Sequence, residues 1–132
     1  MILNMSGGGT LPTPEEIGAL SMELLWENAS PTSAFAAQTV NLDLSAFQMV
    51  AVAIADHLYF VPIGGTTRFS YIYNANGEQS IFTYVRQVVV SETGVTFGNC
   101  YGSSIASGNL KTETSNGSSR PSKIYGIKGV PA

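Results

Sequence analysis

Short apolar runs and alternating apolar and polar positions dominate the sequence after its first 21 residues. Residues 39–44 alternate cleanly and place three aliphatic side chains on one face of a strand. Residues 47–55 are apolar except for Gln48, a pattern typical of a strand that is covered on both faces. Applied along the chain, these patterns predict strands at 22–27, 39–44, 47–55, 57–63, 66–73, 79–91, 95–97, 100–110 and 124–127.

The turns between these segments indicate the fold class. They recur at roughly 8 to 12 residues, the spacing of sandwiches and barrels. Residues 74–77 read Asn-Ala-Asn-Gly and predict a hairpin, because Asn-Gly accepts positive φ. Residues 112–122 are rich in Ser, Asn, Gly and Pro and predict a surface loop. No later segment shows the helical periodicity that a parallel sheet needs for its crossovers. We therefore expect an all-β, antiparallel sandwich or jelly roll of about eight or nine strands.

The N-terminal segment has a different character. A run of three glycines is costly to order, and it is followed by Thr13, Pro14 and Glu16. These residues make a capping box with proline at the first helical position, which predicts a helix over 14–21. We divide the chain into 1–21, a flexible linker or assembly segment with this helix, and 22–132, the β-sandwich domain.

Composition limits the partners. The 132 residues make one domain of 13.9 kDa, and six basic against nine acidic residues give a net charge of −3. This balance disfavours nucleic-acid binding, which needs clustered basic residues, and no apolar run is long enough for membrane insertion. Charged residues are only 11% of the chain, against about 25% in a typical soluble domain. We expect other subunits to cover part of the surface.

Catalytic and metal chemistry has few candidate residues. The chain has one cysteine, Cys100, and one histidine, His57, so a disulfide, a thiolate zinc cage and a two-histidine site are excluded within one chain. Asp56 precedes His57, but neighbouring strand residues point to opposite faces, so the sequence disfavours a Ser-His-Asp triad at this position. Cys100 has no basic neighbour, which predicts a buried, inert thiol. We expect no catalytic residues, no metal and no cofactor.

Paired carboxylates are the remaining route to an enzyme. A glycosidase needs two of them roughly 5 to 10 Å apart in a cleft. The carboxylates on strands or in turns read as solvent-facing residues: Glu23, Glu27, Asp43, Glu78 and Glu92. A small polysaccharide-degrading enzyme stays the less favoured alternative.

Aromatic residues concentrate in the hairpin formed by residues 66–91. Tyr71 and Tyr73 are two residues apart on the first strand and therefore share one side of it, and the same holds for Tyr84 and Arg86 on the return strand. Aromatic rings stack on the apolar faces of sugars, and phenol groups add hydrogen bonds. We predict these four residues as a ligand-binding face, with Tyr73 and Arg86 exposed. The alternative is that the face is core or a subunit interface, and a monomeric carbohydrate-binding module is the alternative function.

Three segments resemble tail-fibre and tail-appendage proteins of bacteriophages and prophages. They are 13–20 (TPEEIGAL), 24–40 (LLWENASPTSAFAAQTV) and 123–130 (KIYGIKGV). The resemblance implies a non-enzymatic structural protein of the virion tail, made in the cytoplasm of the host bacterium. It further implies a homo-oligomer, with a trimer favoured, that contacts other tail proteins and adheres to host-surface glycan. No site residue is carried over from the family.

Overall fold

A computed structural model describes residues 21–75, 80–106 and 108–129. These residues form nine antiparallel strands in two sheets and no helix, which confirms the all-β prediction. The predicted helix over 14–21 lies outside them except for Ser21, which begins the first strand. The strands are β1 (Ser21–Glu27), β2 (Gln38–Asn41), β3 (Met49–Ile54), β4 (His57–Pro62), β5 (Thr66–Ala75), β6 (Ser80–Ser91), β7 (Gly94–Ala106), β8 (Asn109–Thr114) and β9 (Pro121–Lys128).

The strands divide into a small and a large sheet. The small sheet has the order β1-β9-β3-β4, and the large sheet has the order β2-β7-β6-β5, with β8 also paired to β7. One edge of strand β7 pairs with β2 over residues 94–97 and with β8 over residues 101–106. Between these stretches its register with β6 slips by one residue, a bulge that bends the strand. The prediction of two separate segments, 95–97 and 100–110, was therefore wrong.

The predicted loop over 112–122 is partly strand. Residues 112–114 belong to β8, which pairs with β7 after a turn at Gly108, where φ is +81°. All six side chains of β8 are exposed. Because neither face of this strand is buried, its sequence carries no apolar alternation. The pairing with β7 is what makes it a strand.

One hydrophobic core lies between the two sheets. The small sheet contributes Val50, Val52 and Ile124, and the large sheet contributes Val88 and Phe97, each at most 1% exposed. Each such side chain stabilises the fold by roughly 1.5–3 kcal/mol when it leaves water. The inward faces of the two sheets therefore hold each other in place.

The large sheet extends past the part that this core covers. We call 70–75, 80–85, 101–106 and β8 its distal half, and the remainder its proximal half. Large apolar side chains of the distal half are exposed, including Ile72 at 71% and Leu110 at 70%. Among the residues described, no helix is long and apolar enough to cross a lipid bilayer.

Candidate functional site

The register of the β5–β6 hairpin places the predicted ligand-binding residues on one face. Tyr71 lies opposite Tyr84, Tyr73 opposite Phe82, and Phe69 opposite Arg86. The rings of Tyr71 and Tyr84 stack with their centroids 5.1 Å apart. Tyr71 is 43% exposed and Tyr84 is half-buried, whereas the side chain of Tyr73 lies outside the described part of the structure. Tyr71 and Tyr84 therefore share one face of the hairpin as predicted, but the two side chains differ in how far they are exposed.

The prediction that Arg86 is exposed was wrong, because its side chain is 0% exposed. Its guanidinium donates four hydrogen bonds to backbone carbonyls. Nη1 donates to Phe35 at 2.9 Å and Gly98 at 2.7 Å, Nε to Ser119 at 3.0 Å and Nη2 to Ser118 at 3.1 Å. The side chain therefore links two loop segments, at Phe35 and at Ser118–Ser119, to strand β7 at Gly98.

The Arg86 charge is compensated by carbonyl dipoles and by no carboxylate among the described residues. Burial lowers the pKa of Arg86 from its usual value, although arginine stays charged in proteins. Cys100 lies directly opposite Arg86 on β7, and burial raises the pKa of its thiol. Its backbone N–H donates to Oδ1 of Asn116 at 2.8 Å. Burial of Cys100, expected from its surroundings, is confirmed.

A cleft opens where the large sheet emerges from beneath the small sheet. Its volume is about 680 Å³, and its walls come from the β3–β4 turn, the middle of β5 and the loop before β9. His57 and Tyr59 line it from β4, with ring centroids 6.2 Å apart. Tyr59 also contacts Phe69 on β5 at 4.3 Å between centroids. Tyr71 continues the aromatic wall toward the distal half.

The rest of the lining is mostly polar. Serines, including Ser118 and Ser119, line the loop side together with Arg120, whose Nη1 donates to the carbonyl of Thr32 at 2.6 Å. No aspartate or glutamate of the described chain lines the cleft, and the neighbouring turn residue Asp56 is not part of the lining. Within the same residues, no three histidine, cysteine or acidic side chains are placed to hold a metal ion.

Two residues with unusual backbone conformations lie in the cleft wall. Ala55 has φ of +53° and Ser119 has φ of +47°, and they are the non-glycine residues with positive φ in the described part of the chain. Ala55 occupies the first position of the two-residue β3–β4 loop, where a II′ turn favours glycine. Such conformations are costly and concentrate at functional sites. Both residues line the cleft.

A second surface, the outer side of the small sheet, is almost entirely apolar. Its cross-strand rows run Leu24–Tyr125–Ala51–Phe60 and Met22–Ile127–Met49–Pro62. Phe60 is 57% exposed, Met22 49% and Leu24 47%. We call these two rows, with Leu58, the apolar face. Strand β3 was predicted to be covered on both sides. None of the described strands packs on its outer side, although Ala51, between the larger side chains of its neighbours there, is buried.

Comparisons of the chain with protein families, with curated proteins and with solved structures found no match.

Sequence reasoning found one part of the cleft and missed the rest. Tyr71 was predicted as a ligand-binding residue, and His57 was placed at a strand end between apolar strands, where the structure has it. Tyr59 and Arg120 were missed. The spacing of His57 and Tyr59 in one strand was a signal that they share a face. Arg120 carried no signal, because its loop comes close to β4 and β5 only in the folded chain.

Proposed function

We propose that this chain is a non-enzymatic structural protein of a bacteriophage tail, a homo-oligomeric β-sandwich with a trimer favoured and a role in adhesion to the host surface. The observation that carries the proposal is the apolar face. Large exposed apolar patches on soluble proteins mark interaction sites. A second copy of the same chain is the occupant that this protein always has available.

The size and chemistry of the apolar face support self-association. Four strands about 4.8 Å apart and six residues about 3.4 Å each give a flat area of roughly 400 Å², before the surrounding turns are counted. A stable interface buries about 800 Å² on each partner, so the face supplies the central part of one. Its charged residues are one exposed pair at a corner, Lys123 and Glu27, at 3.7 Å. A neighbouring copy that packs on the two apolar rows therefore buries no charged side chain of the described part of this face.

The location of the resembling segments supports the assignment to a phage tail. Segments 24–40 and 123–130 are distant in sequence, yet β1 and β9, which they overlap, pair side by side. Segment 24–40 also supplies Trp26 and Phe35, whose rings lie 6.1 Å apart against Phe97 in the core. The similarity to tail proteins therefore falls on residues that build the fold. The remaining segment, 13–20, lies outside the described residues.

The test is the molar mass of the full chain, measured by light scattering on a size-exclusion column. We expect the mass of a trimer, and we expect Phe60→Lys to shift it to the monomer. Leu110→Lys is the matched control, because Leu110 is 70% exposed on the other sheet. A monomeric wild-type chain would overturn self-association. Dissociation by Leu110→Lys and not by Phe60→Lys would overturn the placement of the interface.

The cleft favours a second candidate, a carbohydrate-binding module that acts as a monomer. The two candidates share ligand binding and differ in mass, so the same measurement separates them. A polysaccharide-degrading enzyme requires two carboxylates in a cleft. The described lining of this one has none, so turnover of a glycan would have to use another part of the chain.

A further inference from the structure

We infer that the cleft between the β3–β4 turn and the loop before β9 binds a hexose unit of an acidic glycan. The inference gives a ligand class to the adhesive role proposed above and rests on that proposal only for the source of the glycan. It replaces the predicted binding residue Arg86 with Arg120, and it adds His57 and Tyr59 to Tyr71.

The shape and lining of the cleft suit a sugar. Its volume of about 680 Å³ lies in the range of small-molecule sites. One wall is aromatic, from Tyr59 through Phe69 to Tyr71, and the opposite wall is a serine-rich loop. A pyranose has a C–H face that packs on a ring and an edge of hydroxyl groups that need polar partners. The two walls of the cleft offer these two kinds of contact.

The charge of the lining favours an acidic substituent. Arg120 is the cationic side chain of the described lining, and its guanidinium makes one hydrogen bond there, from Nη1 to Thr32. It has no carboxylate partner in the described chain, so donors of its planar fork are available. Guanidinium groups bind carboxylates through short, charge-assisted hydrogen bonds. A uronic acid would use this contact, and the corresponding neutral sugar would not.

Hydrogen bonds from the buried side chain of Arg86 fix the loop that carries Arg120. Arg86 donates to the carbonyls of Ser118 and Ser119, which are the two residues that precede Arg120. On its other side Arg120 is held by the carbonyl of Thr32. A site that is formed before the ligand arrives loses less entropy on binding. The buried Arg86 therefore positions the half-buried Arg120.

The experiment is a titration of the isotope-labelled full chain followed by amide chemical shifts. The probes are two matched pairs of sugars, glucuronic acid with glucose and galacturonic acid with galactose, each taken to about 20 mM because ligands of this size bind weakly. We expect saturable shifts at residues 55–59, 69–71 and 117–120, with an acid bound more tightly than its neutral partner. No saturable shift with any of the four sugars would overturn the inference.

Variants assign the contacts. Tyr71→Ala is expected to weaken binding at least about tenfold, while Tyr101→Ala leaves it unchanged, because Tyr101 is 59% exposed on the opposite side of the same sheet. Arg120→Gln is expected to remove the preference for the acid, and Arg120→Lys to restore part of it. Equal effects of the two tyrosine variants, or a preference that survives Arg120→Gln, would contradict the site.

The two proposals fail separately. A monomeric protein that still binds the acidic sugar would overturn the proposed assembly and support the binding site in the cleft. A trimer that binds none of the sugars would overturn the binding site and support the assembly. Phe60 is not part of the cleft lining, because it points to the face of β4 opposite to Tyr59, so the Phe60→Lys variant is expected to bind the acidic sugar as the wild type does.

Discussion

The two halves of the large sheet carry the same alternation of side chains and have different environments. In the proximal half, Val88 and Phe97 point inward and are at most 1% exposed. In the distal half, Tyr71 points to the same side and is 43% exposed. The small sheet covers the first group and ends before the second. An alternating strand therefore predicts which side chains share a face, while burial depends on how far the facing sheet extends.

Arg86 marks the boundary between the halves. It follows Tyr84 on the inner face and precedes Val88, at the level where the small sheet ends. Its hydrogen bonds satisfy the buried carbonyl of Phe35 and the partly buried carbonyls of Gly98 and the 118–119 loop. The side chain therefore closes the core and shapes the cleft above it.

The largest expected difference between the halves is in the cost of removing a large side chain from β7. We expect Phe97→Ala to lower the free energy of unfolding by about 4 kcal/mol, because it leaves a cavity against Trp26 and Phe35. Ile105→Ala, in the distal half of the same strand, is expected to cost less than about 1 kcal/mol, since Ile105 is 48% exposed. Urea denaturation measures both. Similar losses would show that the distal half is also covered.

The boundary is tested by Arg86→Met. The variant keeps the length of the side chain and leaves four carbonyls without their donor, so we expect a loss of about 3 kcal/mol or more. The control is Arg68→Met on the exposed side of β5, where Nη2 contacts Oε1 of Gln87 at 3.5 Å. Its effect is expected to stay within about 0.5 kcal/mol. Thermal melts of equal shift for both variants would contradict the boundary role.

A smaller effect is expected at the cleft wall. Ala55→Gly relieves the positive φ of the β3–β4 turn and is expected to stabilise the protein by about 0.5–1 kcal/mol. Ala53→Gly, two residues earlier in β3, has no such conformation to relieve and is expected to destabilise by about 0.5–1 kcal/mol. Chemical denaturation that gave the same sign for both would remove backbone strain from the description of the cleft.

The smallest effect is a pH dependence at Cys100. Burial raises the pKa of this thiol above its ordinary value of 9.0, so the unfolded chain loses its proton first as the pH rises. The stabilisation is complete below that value and is lost as the pH rises toward the folded pKa. We expect the denaturation midpoint of the wild type to fall more steeply above pH 9.0 than that of Cys100→Ala. Parallel curves would contradict the raised pKa.

Local patterns predicted much of the fold and part of the cleft. Alternation identified most strands within a few residues, including β5 and β6, and it placed Tyr71, Tyr84 and Arg86 on one face. It failed for β8, whose exposed polar residues are ordered by pairing with β7. It also failed for the exposure of Arg86, because an arginine in an alternating strand reads the same whether water or backbone carbonyls receive its hydrogen bonds.

By itself the sequence determined an all-β chain, the presence of the β5–β6 hairpin and the apolar character of β3 on both sides, because side-chain alternation and turn chemistry are local properties. Only the tertiary structure decided that the small sheet ends beside Arg86 and leaves Tyr71 in a cleft. Only the tertiary structure brought Arg120 to the same cleft as His57 and Tyr59. The physical reason is that burial and juxtaposition depend on where distant segments pack, and a residue's neighbours in sequence do not specify that.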